Sequence, residues 1–232
     1  MAGEPTSISK SRTSFHRELE HLQDEVLVLG SMVEKATLRA VDALRSRNLA
    51  AARAIEAEDT LLNRKRFEIE EAALLLIATQ QPMASDLRRL AAIVHIVTDL
   101  ERMGDYAAGI ARICVQIGDD EPFIKPLIDI PRMAEKASSM LRRALDAFVE
   151  RDLAAAEAIA LEDDEVDALY QQVYRELIML MLANPRTIDQ ATHLLWVAHN
   201  LERVADRVQN ICERVVFVVT GRMQEFSRGA MG

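Results

Sequence analysis

The sequence predicts an all-α protein made of two tandem, pseudo-symmetric three-helix bundles, six long helices in all. Three observations carry that prediction. Half of the 232 residues are hydrophobic, only 4% are aromatic, and there are just 8 glycines and 6 prolines. Such a chain is rich in Ala, Leu, Glu and Arg, which lose little in a helix. Apolar residues recur at alternating steps of three and four over long stretches, the period of a buried helix face. The chain also repeats itself: Asp99-Leu100-Glu101-Arg102-Met103-Gly104-Asp105 returns as Asn200-Leu201-Glu202-Arg203-Val204-Ala205-Asp206. Duplication of a helical unit explains all three.

Taken in order, residues 1–13 are polar and aperiodic, and a disordered tail is expected there. A first helix is expected from Ser14 to Ser46. A second follows Asn48, a good N-cap residue, and ends near Gln81. Pro82 suits the first turn of a third helix reaching about Ile117. Gly118-Asp119-Asp120-Glu121-Pro122, with Pro126 and Pro131 close behind, reads as a linker over 119–131. The first bundle therefore spans 14–118 and the second 132–221, with a tail at 222–232.

Beyond the linker the plan returns. Met133-Ala134-Glu135-Lys136-Ala137 echoes Met32-Val33-Glu34-Lys35-Ala36, and Arg151-Asp152-Leu153-Ala154 echoes Arg47-Asn48-Leu49-Ala50. Both second helices lead to a Glu-Asp pair, Glu58-Asp59 and Glu162-Asp163. Asn184-Pro185 offers the sixth helix an N-cap and a first-turn proline. In the third helix, Ile93, Ile96, Leu100, Met103, Ala107, Ile110, Cys114 and Ile117 form one stripe. A constant offset of 101 gives Leu194, Val197, Leu201, Val204, Val208, Ile211, Val215 and Val218, every one apolar. These stripes are read as core seams rather than as a cofactor box.

Composition also excludes. A net charge of −9 opposes a duplex nucleic-acid binder, which needs a concentrated basic face. Apolar runs such as those at 177–183 and 215–219 are too short to span a bilayer. No apolar leader opens the chain, and Cys114 and Cys212 lie within apolar helical patterns, as expected of a cytoplasmic protein with reduced thiols. No Gly-rich phosphate loop, Ser/His/Asp signature or Cys-x-x-Cys is present, so no catalytic turnover is expected.

The candidate chemistry lies in paired acids. Glu101 and Asp105 are four residues apart, one helical turn, with β-carbons roughly 5–6 Å apart. On the wheel both point away from the apolar seam, and Glu202 and Asp206 do the same. Two carboxylates so placed repel one another unless a cation sits between them. Hard oxygen donors suit Mg, Ca, Mn or Fe. Asp163 and Asp167 on the second repeat's middle helix form another such pair, and their counterparts are Asp59 and Asn63. In an antiparallel hairpin each middle-helix pair faces the pair on the next helix. With 37 acids in the chain, roughly six pairs of this spacing arise by chance, so recurrence in both repeats, not any single pair, is the signal. His199 and His95 read as ordinary helix histidines. Glu18 and His21 form the chain's one Glu-x-x-His, where a ferritin-like di-iron site needs two.

These features together, with Gln81-Pro82-Met83-Ala84-Ser85-Asp86-Leu87-Arg88, resemble the PhoU family of phosphate-regulon regulators over about residues 14–220. The resemblance implies an all-helical protein of two similar three-helix bundles. It also implies multinuclear clusters of divalent or trivalent metal (Fe, Mn, Mg, Zn or Ca not distinguished) held on the bundle surface. The ligands would be Glu101, Asp105, Glu202 and Asp206, with Asp59, Asn63, Asp163 and Asp167 beside them. It implies further a negative regulator linking a phosphate ABC transporter, through its ATPase, to a sensor histidine kinase. Long bundles offer side faces on which two copies can pair, so a homodimer is expected, although no motif fixes it. Two alternatives remain open at this point. One is a carboxylate-bridged metal enzyme, a ferritin-like oxidase or hydrolase; the other is a metal-free helical interaction module.

Overall fold

The computed structural model describes residues 7–120 and 122–226 and is helical almost throughout. Helix α1 covers Ser7–Ser46, α2 Leu49–Gln80 and α3 Ala84–Ile117. Helix α4 covers Asp129–Glu150, α5 Leu153–Ala160, α6 Asp163–Ala183 and α7 Ile188–Thr220. None of these helices is long and apolar enough to cross a membrane. The expectation of disorder over 1–13 is corrected for its later part, because α1 begins at Ser7; residues 1–6 and 227–232 lie outside the described residues.

The turns show the duplication most directly. Arg47 and Arg151 both adopt left-handed backbone, with φ of 55° and 58°. Behind them Asn48 N–H donates to Ala43 O, and Asp152 N–H to Ala147 O, each at 2.9 Å. The Asn48 and Asp152 side chains then cap α2 and α5, accepting from Ala51 and Ala155 N–H at 3.0 Å. Pro82 differs from expectation. Gln81 is left-handed and ends α2, and Met83 is the N-cap of α3, so Pro82 bridges the two helices from outside both. Asn184 Oδ1 accepts from Arg186 N–H at 3.2 Å, and Pro185 opens a single 3₁₀ turn that leads into α7. Pro131 falls inside the first turn of α4, which starts at Asp129 rather than 132.

The second repeat's middle helix is split into α5 and α6 at Leu161-Glu162. The run Glu162-Asp163-Asp164-Glu165 explains the break. Three of these acids occupy the first turn of α6, where the positive end of the helix dipole favours them. In α2 the equivalent positions hold Asp59, Thr60 and Leu61, and the helix runs through.

Burial fixes the repeat register. Val26, Leu29, Val33, Ala40, Val41 and Leu44 of α1 are buried, and so are Ile130, Met133, Ala137, Ala144, Leu145 and Phe148 of α4, at a constant offset of 104. The Met-x-Glu-Lys-Ala echo, offset by 101, is therefore not a structural equivalence; Ser139 stands where α1 has Lys35. Both expected seams are buried in α3 and α7, except for the half-buried Ile117.

The two bundles share one continuous core. Helix α3 packs on α7 and α1 on α4. Gly30 makes the α1–α4 approach possible, since a Cβ there would sit 2.1 Å from Leu145 Cδ1. Asp99 of α3 bonds Asn210 of α7, while Asn200 of α7 lies over Gly109 of α3. Those two contacts exchange under the 101-residue offset, so α3 and α7 run antiparallel about a pseudo-twofold axis. The axis passes close to both acid motifs.

Candidate functional site

In the first repeat, α2 lies along α3 and brings three of the predicted acids into one another's field. Asn63 Nδ2 donates to Asp59 Oδ2 at 3.1 Å and to Asp59 O at 3.3 Å. Asp59 Oδ1 is buried and has no hydrogen-bond partner among the described residues. Burial raises the pKa of Asp59, and Asp105 raises it further. Glu101 is raised by burial first, then by Asp105, with Asp59 adding a smaller push. Arg102 is the nearest counter-charge, 3.8 Å from both Glu101 and Asp105 and 57% exposed. Gly104 leaves the space between α2 and α3, because a Cβ there would meet Leu62 Cδ1 at 2.7 Å.

In the second repeat Asp163 is the first residue of α6 and is buried, as is Glu202, whereas Asp167 and Asp206 are half buried. His199 Nδ1 stands 3.5 Å from Glu202 Oε2, and its ring lies 6.2 Å from that of Tyr170. Burial, and then Glu202, raises the pKa of Tyr170, so α6 and α7 meet at this carboxylate. Arg203 reaches Asp206 at 3.9 Å.

The outward placement expected of the four motif acids holds only for Asp105 and Asp206. Glu101 and Glu202 have side chains 16% and 10% exposed and face the groove against the middle helix. The helical wheel measured their angle from the apolar seam alone, and the middle helix covers the flank on which they stand. Among the described residues, no three His, Cys, Asp or Glu side chains already converge as a metal-coordinating group. The first repeat nevertheless fits a hard cation in its chemistry: an oxygen-only donor set, Asp59 and Glu101 raised by burial and by Asp105, and a buried oxygen unpartnered among the described residues. Glu18 and His21 are both exposed on α1, far from an inward di-iron arrangement.

Several residues escaped the sequence reading. Buried Asp99 accepts from Arg207 Nη1 at 3.1 Å and from Asn210 Nδ2 at 3.2 Å, tying the repeats together beside Glu101. Arg203 lies over the Tyr106 ring at 5.7 Å, a second link between the same helices. Two equivalent bidentate pairs, Arg39–Glu58 and Arg143–Glu162, clamp the middle helix of each repeat. Their common spacing of nineteen residues was the available signal.

A family model, the PhoU domain, matches residues 26–114 and again 130–215, one match on each structural repeat. The chain belongs to the PhoU family. A phosphate-specific transport system accessory protein PhoU homolog of Clostridium acetobutylicum is 36% identical over 220 residues, covering 94% of this chain and 99% of its own. A PhoU homolog of the same description from Caulobacter vibrioides is 38% identical over 208 residues, 90% of each chain. The crystal structure of PhoU from Pseudomonas aeruginosa superposes with a TM-score of 0.85 at 33% identity, over 90% of this chain and all of that one. The phosphate transport system regulatory protein PhoU from Streptococcus pneumoniae gives the same TM-score and identity over 91% of this chain. The two PhoU domains are the α1–α3 and α4–α7 units, which accords with the all-α, two-repeat architecture read from the sequence.

Proposed function

We propose that this chain is an accessory protein of a phosphate transport system. In this reading it restrains the phosphate response by linking the transporter's ATPase to a sensor histidine kinase on the cytoplasmic side. It acts by contact rather than by turnover, with metal held by the duplicated acids. The observation that carries the metal part is Asp59, whose buried Oδ1 has no hydrogen-bond partner among the described residues and whose pKa is raised by burial and then by Asp105. Asp59, Asn63, Glu101 and Asp105 would hold a divalent or trivalent cation in the first repeat, and Asp163, Asp167, Glu202 and Asp206 in the second. A cation there supplies positive charge that joins middle helix to last helix and gives a phosphate oxyanion something to bind. Phe67, Leu74 and Leu75, exposed along α2, offer the face for the expected homodimer.

Two measurements test this. Elemental analysis of protein purified without chelator or nickel affinity resin is expected to find bound metal, lost in a Glu101→Ala, Glu202→Ala double variant. Metal-free wild type from cells supplied with each candidate ion refutes the metal reading. Purification from phosphate-replete cells is expected to bring down the transporter ATPase or a sensor kinase; recovery of neither refutes the linking role.

A further inference from the structure

A cleft of about 140 Å³ opens between α1, α2 and α3 of the first repeat. Its walls are mostly apolar: Met32 and Ala36, Ile55 and Leu62, Gly104 and Ala108. A dry cavity of about 150 Å³ in a protein interior holds benzene, so the space matches one aromatic ring. At the rim Arg39 and Glu58 bond each other at 2.6 and 3.1 Å, and exposed Lys35 stands on the same edge, so the cleft carries one ammonium at its mouth and the Asp59 carboxylate within. Asp59 lines the cleft as well. Its Oδ1, buried and without a hydrogen-bond partner among the described residues, lies 3.7 Å from where a Gly104 Cβ would stand.

Comparison with the second repeat shows that the space is particular to the first. At the equivalent positions Ala36 becomes Met140, Gly104 becomes Ala205 and Ala108 becomes Gln209. Met140 is fully buried, and Gln209 Nε2 bonds Ala160 O at 3.5 Å, so those side chains use the volume that the first repeat leaves open. The duplicated unit therefore packs well with the larger residues, and three small ones keep the first copy hollow.

We propose that this cleft binds an aromatic group carrying a single O–H or N–H donor, phenol or indole in size, with the donor bonded to Asp59 Oδ1. The occupant is uncharged, because a charged group among these apolar walls loses more hydration than one carboxylate oxygen returns. That chemistry has two sources, a free phenolic or indolic molecule and a Tyr or Trp side chain offered by a partner. The site shares Asp59 with the proposed metal position, and the carboxylate's several lone pairs allow a cation and the aromatic donor to use it together.

The test uses the full chain and three probes, phenol, indole and N-acetyltyrosinamide, at up to about 10 mM, followed by amide NMR shifts and thermal midpoint. Saturable binding is expected, with phenol preferred to toluene and the preference abolished in Asp59→Leu. Ala36→Met and Ala108→Gln each copy the second repeat and are expected to weaken binding about tenfold or more while retaining helical content. Two such variants keep the test decisive if one fails to fold. Binding of the free phenol or indole alone points to a small molecule, and binding of N-acetyltyrosinamide to a partner's side chain; either supports the proposal. No saturable binding of any probe, or binding undiminished by both filling variants, overturns it. Neither filling variant alters a candidate metal ligand. Their metal content is thus expected to match wild type, and a metal-free result bears on the proposed function alone.

Discussion

Replacing Glu162 with Gln removes the most tightly held carboxylate described in the chain. Arg143 Nη1 and Nη2 donate to it at 2.6 and 2.7 Å, and Lys136 Nζ lies 2.6 Å away. Arg143's hydrogen bonds, against opposing burial and with Lys136 adding, lower its pKa from 4.5 to about 2. That gap is worth at most about 3.4 kcal/mol. The Arg143 side chain is 41% exposed, so water screens the pair, and about 1.5–2 kcal/mol is the expected share. Because the folded pKa is depressed, the contribution is complete above pH 4.5 and fades as pH falls towards 2. Glu162→Gln should therefore lower the thermal midpoint by about 5 °C near neutral pH. The equivalent Glu58→Gln, whose pair with Arg39 is 44% and 49% exposed, should cost about 0.5 kcal/mol. Urea unfolding followed by circular dichroism at about pH 7 and about pH 3 measures both effects. If Glu162→Gln costs no more than Glu58→Gln, or its deficit persists undiminished in acid, the account of this clamp is wrong.

Four further outcomes follow from the same structure. Asp99→Ala leaves Arg207 and Asn210 half buried without their shared acceptor and should cost about 2 kcal/mol in urea unfolding, while Asn210→Ala costs less. Burial pushes the Cys212 thiol up to about 12 and raises Cys114 as well, so neither should alkylate near pH 8 until the chain is unfolded. The same shift means that stability is lost as pH rises from 9 towards 12, where the unfolded thiol ionises and the folded one does not; Cys212→Ala should flatten that loss. Phe148→Ala, at a side chain 1% exposed in the shared core, should cost about 3–5 kcal/mol by the same unfolding assay.

Helix identity, the two repeats and the core seams were readable because they depend on spacing along one chain. A step of three or four residues puts side chains on one face wherever the helix ends up. Asn48 announced its cap for the same local reason, and Asp152, its echo in the second repeat, caps α5 in the same way. The candidate acids were legible as a duplicated motif, but their burial was not. Glu101 and Glu202 are covered by a middle helix whose position no single-helix wheel contains. Asp99 gains its role only when α7 brings Arg207 and Asn210 to it. The split between α5 and α6 was written in a run of four acids, yet only a helix start gives that run a favourable dipole.

Sequence by itself determined how each helix is sided, where most of them stop and that the unit was copied. These are consequences of backbone periodicity and capping, which act within a few residues. Tertiary structure alone decided that the copies share one core, that Glu101 and Glu202 face a groove rather than open water, and that the first copy keeps a cleft which the second fills. Those outcomes depend on which surfaces meet across a hundred residues of chain, and side-chain volume at a contact has meaning only when both sides of the contact are in place.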